Sequence, residues 1–142
     1  MSLFSFRKIT PSSMATINNS LEQKILAFER LLNIMDELRA KCPWDKKQTF
    51  LTLRNLTIEE TYELADAILD DDIENIKEEI GDLMLHLVFY AKIAEESAAW
   101  DIADAINTVC EKLILRHPHI YGDVKVESDE DVKKNWEQLK RR

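Results

Sequence analysis

Residues 50–96 read FLTLRNLTIEETYELADAILDDDIENIKEEIGDLMLHLVFYAKIAEE, and this stretch decides the fold. Apolar residues recur three and four positions apart on both sides of Asp70-Asp71-Asp72, the pattern of two helices joined by a tight connector. The first covers about Phe50–Leu69, and Thr57 with Glu60 forms a capping-box signature that allows its division into two pieces. The second runs from about Ile73 to Glu96, with Ile76, Ile80, Leu83, Leu87 and Tyr90 on one side. Ile80, Leu83 and Leu87 mark the expected buried side of this helix, and Ile58, Tyr62 and Leu69 that of its predecessor. So short a connector makes the two helices antiparallel neighbours.

Outward from this pair the chain stays helical. Upstream, Ser20 with Gln23 opens a helix whose stripe is Leu21, Ile25, Phe28, Leu32 and Met35, widened by Leu31 and Leu38. It ends at Cys42-Pro43, because proline disfavours helical geometry in the residue before it. Cys42–Gln48 then reads as a loop. Downstream, Asp101 caps a fourth helix with Ile102, Ile106, Val109, Leu113 and Ile114 as its apolar stripe. His117–Val126 reads as a loop, and Ser128 with Asp131 starts a short terminal helix carrying Val132, Trp136 and Leu139. No period-two alternation occurs, and two glycines and three prolines in 142 residues are too few for the turns of a sandwich or barrel. The expected fold is all-α: a four-helix-bundle-like core with a C-terminal helical tail, one domain over residues 20–142, preceded by a flexible extension over residues 1–19.

Charge narrows the partners. Nineteen Lys and Arg against 27 Asp and Glu give a net charge of -8, with no basic stripe of the kind that duplex nucleic acid requires. No apolar run approaches the roughly 20 residues of a membrane span, and the first 21 residues lack the continuous apolar segment of a secretory signal. Cys42 and Cys110 fit no zinc spacing and read as small buried residues of a reduced, cytoplasmic protein.

The unusual feature is acidity. Between Glu59 and Asp82 stand eleven acids against Lys77 alone. Residues three or four apart on a helix are neighbours, so Glu60 or Glu59 pairs with Glu63, and Glu79 or Glu78 pairs with Asp82. Periodicity favours Glu79 with Asp82 and leaves Glu59 against Glu60 open. Four carboxylates converging from two facing helices repel one another unless a cation sits among them, and an all-oxygen donor set suits Mg²⁺ or Mn²⁺. A di-iron centre would need Glu-x-x-His pairs, and the residues three before His86, His117 and His119 are Leu83, Ile114 and Arg116. Spacing alone fits a solvated acidic face equally well.

Glu59-Glu60-Thr61-Tyr62-Glu63 followed by Glu79-Ile80-Gly81-Asp82 resembles the EExxE…ExxD signature of the MazG-type nucleoside triphosphate pyrophosphohydrolases. The resemblance extends to Cys42-Pro43-Trp44-Asp45 and Gln48, to Lys112–Arg116, and through His117-Pro118-His119 and Tyr121-Gly122-Asp123 to Asn135-Trp136-Glu137, about Leu31 to Leu139 in all. It implies an all-α homodimer that hydrolyses a nucleoside triphosphate to monophosphate and pyrophosphate with Mg²⁺, or Mn²⁺ in its place. It further implies that Glu60, Glu63, Glu79 and Asp82 hold the metal and that Glu59 stands behind them or orients the water. Lys112 and Arg116 are implied to contact phosphate, with Trp136 on the base and Trp44 as a further nucleotide contact. The chemistry suits these residue types: metal ions bridge an acidic site to a polyanion, Arg grips phosphate in a fork, and Lys acts as a point charge.

Plainer readings stand beside these. Lys112 and Arg116 are also ordinary cations near a helix C-terminus, and Trp44 and Trp136 are also packing anchors. His86, one turn beyond Asp82, reads as a packing histidine or one that supports a ligand. A non-catalytic dimeric helical module that binds nucleotide or a protein partner is the alternative to the enzyme.

Overall fold

Hydrogen-bonded caps set the helix boundaries. The computed structural model describes residues 18–141, and the expected extension over residues 1–19 lies almost wholly outside them. Ser20 opens α1 (Leu21–Lys41) with a full capping box: its hydroxyl accepts from the Gln23 amide at 3.1 Å, and the Gln23 side chain takes the Ser20 amide at 2.8 Å. Pro43 starts a single turn, α2 (Pro43–Lys46), inside the segment expected to be loop, because proline is pre-shaped for the first helical position. Thr49 caps α3 (Phe50–Leu69), Asp72 caps α4 (Ile73–Glu96), and Asp101 caps α5 (Ile102–Arg116). A second proline turn, α6 (Pro118–Tyr121), interrupts the next expected loop, and Ser128 caps α7 (Asp129–Lys140).

The second of these long helices is not divided. Thr57 does not cap; its hydroxyl bonds back to the Leu53 carbonyl at 3.1 Å inside a continuous α3. The α3–α4 connector is a Schellman turn, with the Asp72 amide on the Ala67 carbonyl and the Asp71 amide on Ile68. Asp71 takes the left-handed conformation this requires, at φ 56°.

Helix α4 is central, packing against α1, α3 and α5, while α6 and α7 rest on α5. Met35, Leu53, Val88 and Phe89 form the buried core, with Phe28, Leu31, Leu32, Leu56, Leu85, Tyr90 and Ile93 around it. This corrects the expected buried sides. Ile80, Leu87, Ile58, Tyr62 and Leu69 are all exposed, Tyr62 by 68%. Helix α4 is apolar nearly all round from Leu83 to Ala91, so its buried face is set by where α1 and α3 lie and not by its own period. The α5 stripe is likewise open: Ile106, Val109, Leu113 and Ile114 are exposed. Cys110 on the same helix is exposed and Cys42 half-buried, against the expectation that both are buried. Among the described residues no helix is long and apolar enough to cross a membrane.

Helix α4 ends in a second Schellman turn, in which the Ala99 amide reaches the Ala94 carbonyl at 3.1 Å. Its left-handed residue is Ala98, at φ 55°, where an L side chain costs about 1 kcal/mol relative to glycine. Replacing Ala98 by Gly is expected to stabilise the protein by about 1 kcal/mol, seen as a higher urea midpoint with an unchanged slope.

Candidate active site

The connector folds α4 back against α3, and the periodicity of each helix then brings selected acids to the shared seam. Glu60 of α3 and Glu79 and Asp82 of α4 each offer a carboxylate oxygen, all within 4.8 Å of one another. Glu63, one turn beyond Glu60, is exposed and outside that group, yet close enough that its charge acts on both Glu60 and Glu79. Glu59 and Glu78 are exposed and outside the group. The structure therefore brings Glu60 and not Glu59 to the seam, a choice the sequence periodicity leaves open.

The electrostatics of the cluster are unfavourable as it stands. Glu60 Oε2 and Glu79 Oε2 are both shielded from solvent, and neither meets a donor. Ionised carboxylates only accept, so oxygens facing one another need a proton or a cation between them. In the absence of a cation the proton is the remedy. Burial, then the proton shared with Glu60, then the Glu63 charge push the Glu79 carboxyl up to about 7. Burial, followed by the charge of Glu63, raises Glu60 as well. Donor-less buried oxygens in an all-oxygen set fit a hard divalent cation.

The other residues singled out in the sequence lie elsewhere. Arg116 lays its guanidinium over the Trp136 ring at 5.0 Å, and His117 meets the edge of that ring at 5.2 Å. The Nδ1 atom of His117 is 2.6 Å from the Leu113 carbonyl, and His119 stands 5.5 Å from His117, its own Nδ1 buried without a partner. Lys112 is exposed on the same helix, and neither it nor Arg116 enters an ion pair among the described residues. Trp44 is 54% exposed on α2, a turn that packs against α1 and not against α3 or α4.

Two polar groups beside the cluster were read in the sequence for other roles, Thr57 as a helix cap and Tyr90 as part of an apolar stripe. Thr57 and Tyr90 join His86 in a hydrogen-bonded bridge between α3 and α4. The available signal was positional: in an antiparallel pair, the residue one turn before Glu60 faces the residue one turn after Asp82.

An all-helical chain that gathers uncompensated carboxylates between two antiparallel helices presents an all-oxygen donor set suited to a hard divalent cation. Residues 48–121 match the MazG nucleotide pyrophosphohydrolase domain, and the chain belongs to the MazG family. It is 44% identical over 116 residues to a nucleoside triphosphate pyrophosphohydrolase of Escherichia coli K12, an alignment covering 80% of this chain and 44% of that protein. It is 46% identical over 117 residues to the nucleoside triphosphate pyrophosphohydrolase/pyrophosphatase MazG of Thermotoga maritima, covering 81% of this chain and 44% of that one. The chain thus spans less than half the length of these curated relatives. The crystal structure of a mazG-related protein from Thermotoga maritima superposes with a TM-score of 0.69 at 35% identity, covering 80% of this chain and 99% of that one.

The raised carboxyl has a consequence with a definite sign. Glu79 binds its proton more tightly folded, near 7, than at its ordinary value of 4.5, so its stabilising contribution is complete below pH 4.5 and is lost as pH rises through 7. In EDTA, the melting temperature is expected to fall between pH 5.5 and pH 8, and Glu79→Gln, fixed in the neutral form, to exceed the unsubstituted protein at pH 8. Added Mg²⁺ is expected to raise the melting temperature more at pH 8 than at pH 5.5, because the cation must displace that proton.

Proposed function

We propose that this chain hydrolyses nucleoside triphosphates, canonical or damaged, to the monophosphate and pyrophosphate with Mg²⁺, acting in nucleotide-pool housecleaning. The convergence of Glu60, Glu79 and Asp82 within 4.8 Å, with two shielded oxygens lacking donors, carries the reading. Family membership supports the reaction class, as does the printed name of the Escherichia coli relative. Glu60, Glu63, Glu79 and Asp82 would hold the metal, with Mn²⁺ able to replace Mg²⁺ on this donor set. When bound, the ion offsets the charge of the triphosphate, polarises the α-phosphate and activates the attacking water.

The remaining chemistry is assigned to the chain's own groups. Glu59, at the rim and outside the set that would hold the metal, orients the water or accepts its proton; it is exposed and so open to solvent and substrate. Lys112 and Arg116, spaced i,i+4 on α5 and paired with no acid among the described residues, bind phosphate oxygens, and Trp136 offers the nucleotide base an aromatic surface. Stacking on Trp136 holds the Arg116 guanidinium flat, which lowers the entropy lost when it grips a phosphate. Trp44 is a further candidate nucleotide contact on its exposed turn.

Residues 20–142 act as one domain in this reading, and the domain is a homodimer. An apolar groove of about 580 Å³ opens between α4 and α5, lined by Phe28, Met84, Leu87, Trp100, Ile106 and Val109. Leu87 and Val109 are each 49% exposed in the single chain, and a second copy would cover them. A nucleotide substrate and two free cysteines support a cytoplasmic location.

With Mg²⁺ the protein is expected to release pyrophosphate from a panel of NTPs and dNTPs, and EDTA to abolish the release. Asp82→Ala or Glu63→Ala is expected to lower kcat/KM at least about a hundredfold, roughly 2.7 kcal/mol of lost transition-state stabilisation. Orthophosphate as first product would instead identify a phosphatase, and tight Mg-nucleotide binding without turnover the non-catalytic module. Light scattering is expected to give twice the chain mass, and Val109→Asp to halve it while helical circular dichroism is retained.

A further inference from the structure

The carboxylate cluster repels itself, and most of the α3–α4 seam is apolar packing, which is non-directional and tolerates sliding. Thr57 is the exception. Its Oγ1 lies 3.1 Å from the Leu53 carbonyl, 2.9 Å from His86 Nδ1, and within hydrogen-bond distance of the Tyr90 hydroxyl. Apart from the proton that Glu60 shares with Glu79, these are the only direct side-chain hydrogen bonds between α3 and α4 among the described residues.

Donor counting fixes the arrangement. A hydroxyl has one proton and two lone pairs, and the Leu53 carbonyl can only accept. All three contacts are satisfied together in one way: Thr57 donates to Leu53, and both His86 Nδ1–H and Tyr90 O–H donate to Thr57. Burial holds His86 below its ordinary pKa, in keeping with a neutral ring, although the Asp82 charge works the other way. The Tyr90 ring is itself stacked on Phe50 at 5.8 Å, so the bridge is anchored at the start of α3. Thr57 is one turn before Glu60 and His86 one turn after Asp82, which makes the bridge and the carboxylates adjacent layers, about 5 Å apart along the helices.

We infer that Thr57 and His86 are positioning residues for the metal site: their bond locks the register of α3 against α4 and so keeps Glu60 opposite Glu79 and Asp82 while no cation is there to draw them together. The inference rests on the reading of this cluster as a cation site.

Mn²⁺ binding, followed by electron paramagnetic resonance with the metal alone, tests it without recourse to turnover. Thr57→Val keeps shape and loses the hydroxyl, and is expected to weaken Mn²⁺ binding about tenfold or more, whereas Thr57→Ser is expected to stay within about twofold of the unsubstituted protein. From the other side of the bond, His86→Asn retains a donor at the Nδ1 position and is expected to keep affinity, and His86→Leu to lose it; this pair decides the matter if Thr57→Val does not fold. Met35→Ala, a core truncation on α1, is expected to lower the melting temperature and leave Mn²⁺ affinity unchanged. Thr57→Val or His86→Leu binding as tightly as the unsubstituted protein, or Met35→Ala weakening binding equally, overturns the inference and leaves the cation site standing. An unsubstituted protein that binds no Mn²⁺, or Glu79→Ala binding normally, overturns the cation reading and this inference with it.

Discussion

Three carboxylates within 4.8 Å of one another set the terms for the rest of the molecule. Like charges that close cannot all ionise without compensation, and the two most shielded oxygens have no donor to lean on. The seam between α3 and α4 must therefore resist its own repulsion. It does so by burying Leu53 against Val88 and Phe89 further along the same seam, where apolar contact outweighs the unfavourable layer. The acids are the part of this seam that does not contribute to stability, which is the expected mark of a functional site in an otherwise self-consistent fold.

At the far end of α4 the charges are of the opposite kind. Arg39 of α1 binds both carboxylate oxygens of Glu96, at 3.0 and 2.5 Å, and spans the loop after α2 through the carbonyls of Asp45 and Gln48. Its guanidinium also stands 5.6 Å over the Phe89 ring, so one side chain links α1, the Trp44 turn and α4 to the core. The hydrogen bonds to Glu96 hold that carboxyl below its ordinary range, while the acids at the other end are pushed above theirs. Helix α4 is thus fixed at one terminus by a paired charge and strained near the other by unpaired ones.

The helix limits were legible because short polar side chains at Ser20, Asp101 and Ser128 satisfy backbone amides that nothing else would satisfy. The Glu79–Asp82 pairing was legible from i,i+3 spacing, whereas Glu63, paired with Glu60 by the same rule, stays outside the converging group. What the sequence left undecided has a common cause. The buried face of α4 depends on neighbours, because Leu83 to Ala91 is apolar almost throughout, and the exposure of Ile80, Leu87 and Cys110 follows from helices that are not adjacent in the chain. Thr57 was misread for a related reason: the same hydroxyl can cap a helix or bond back along it, and only a partner on α4 selects between the two.

The attachment of α5, α6 and α7 has a consequence for how the protein can change. Among the described residues these helices are joined to the rest of the bundle where α5 packs on α4, and α7 shares no packing with α3. Substitutions around Trp136 and substitutions around Glu60 therefore share no packing contact, and their effects on folding stability are expected to add. The packing around Trp136 can thus be remodelled without disturbing how the acids are held together on α3 and α4.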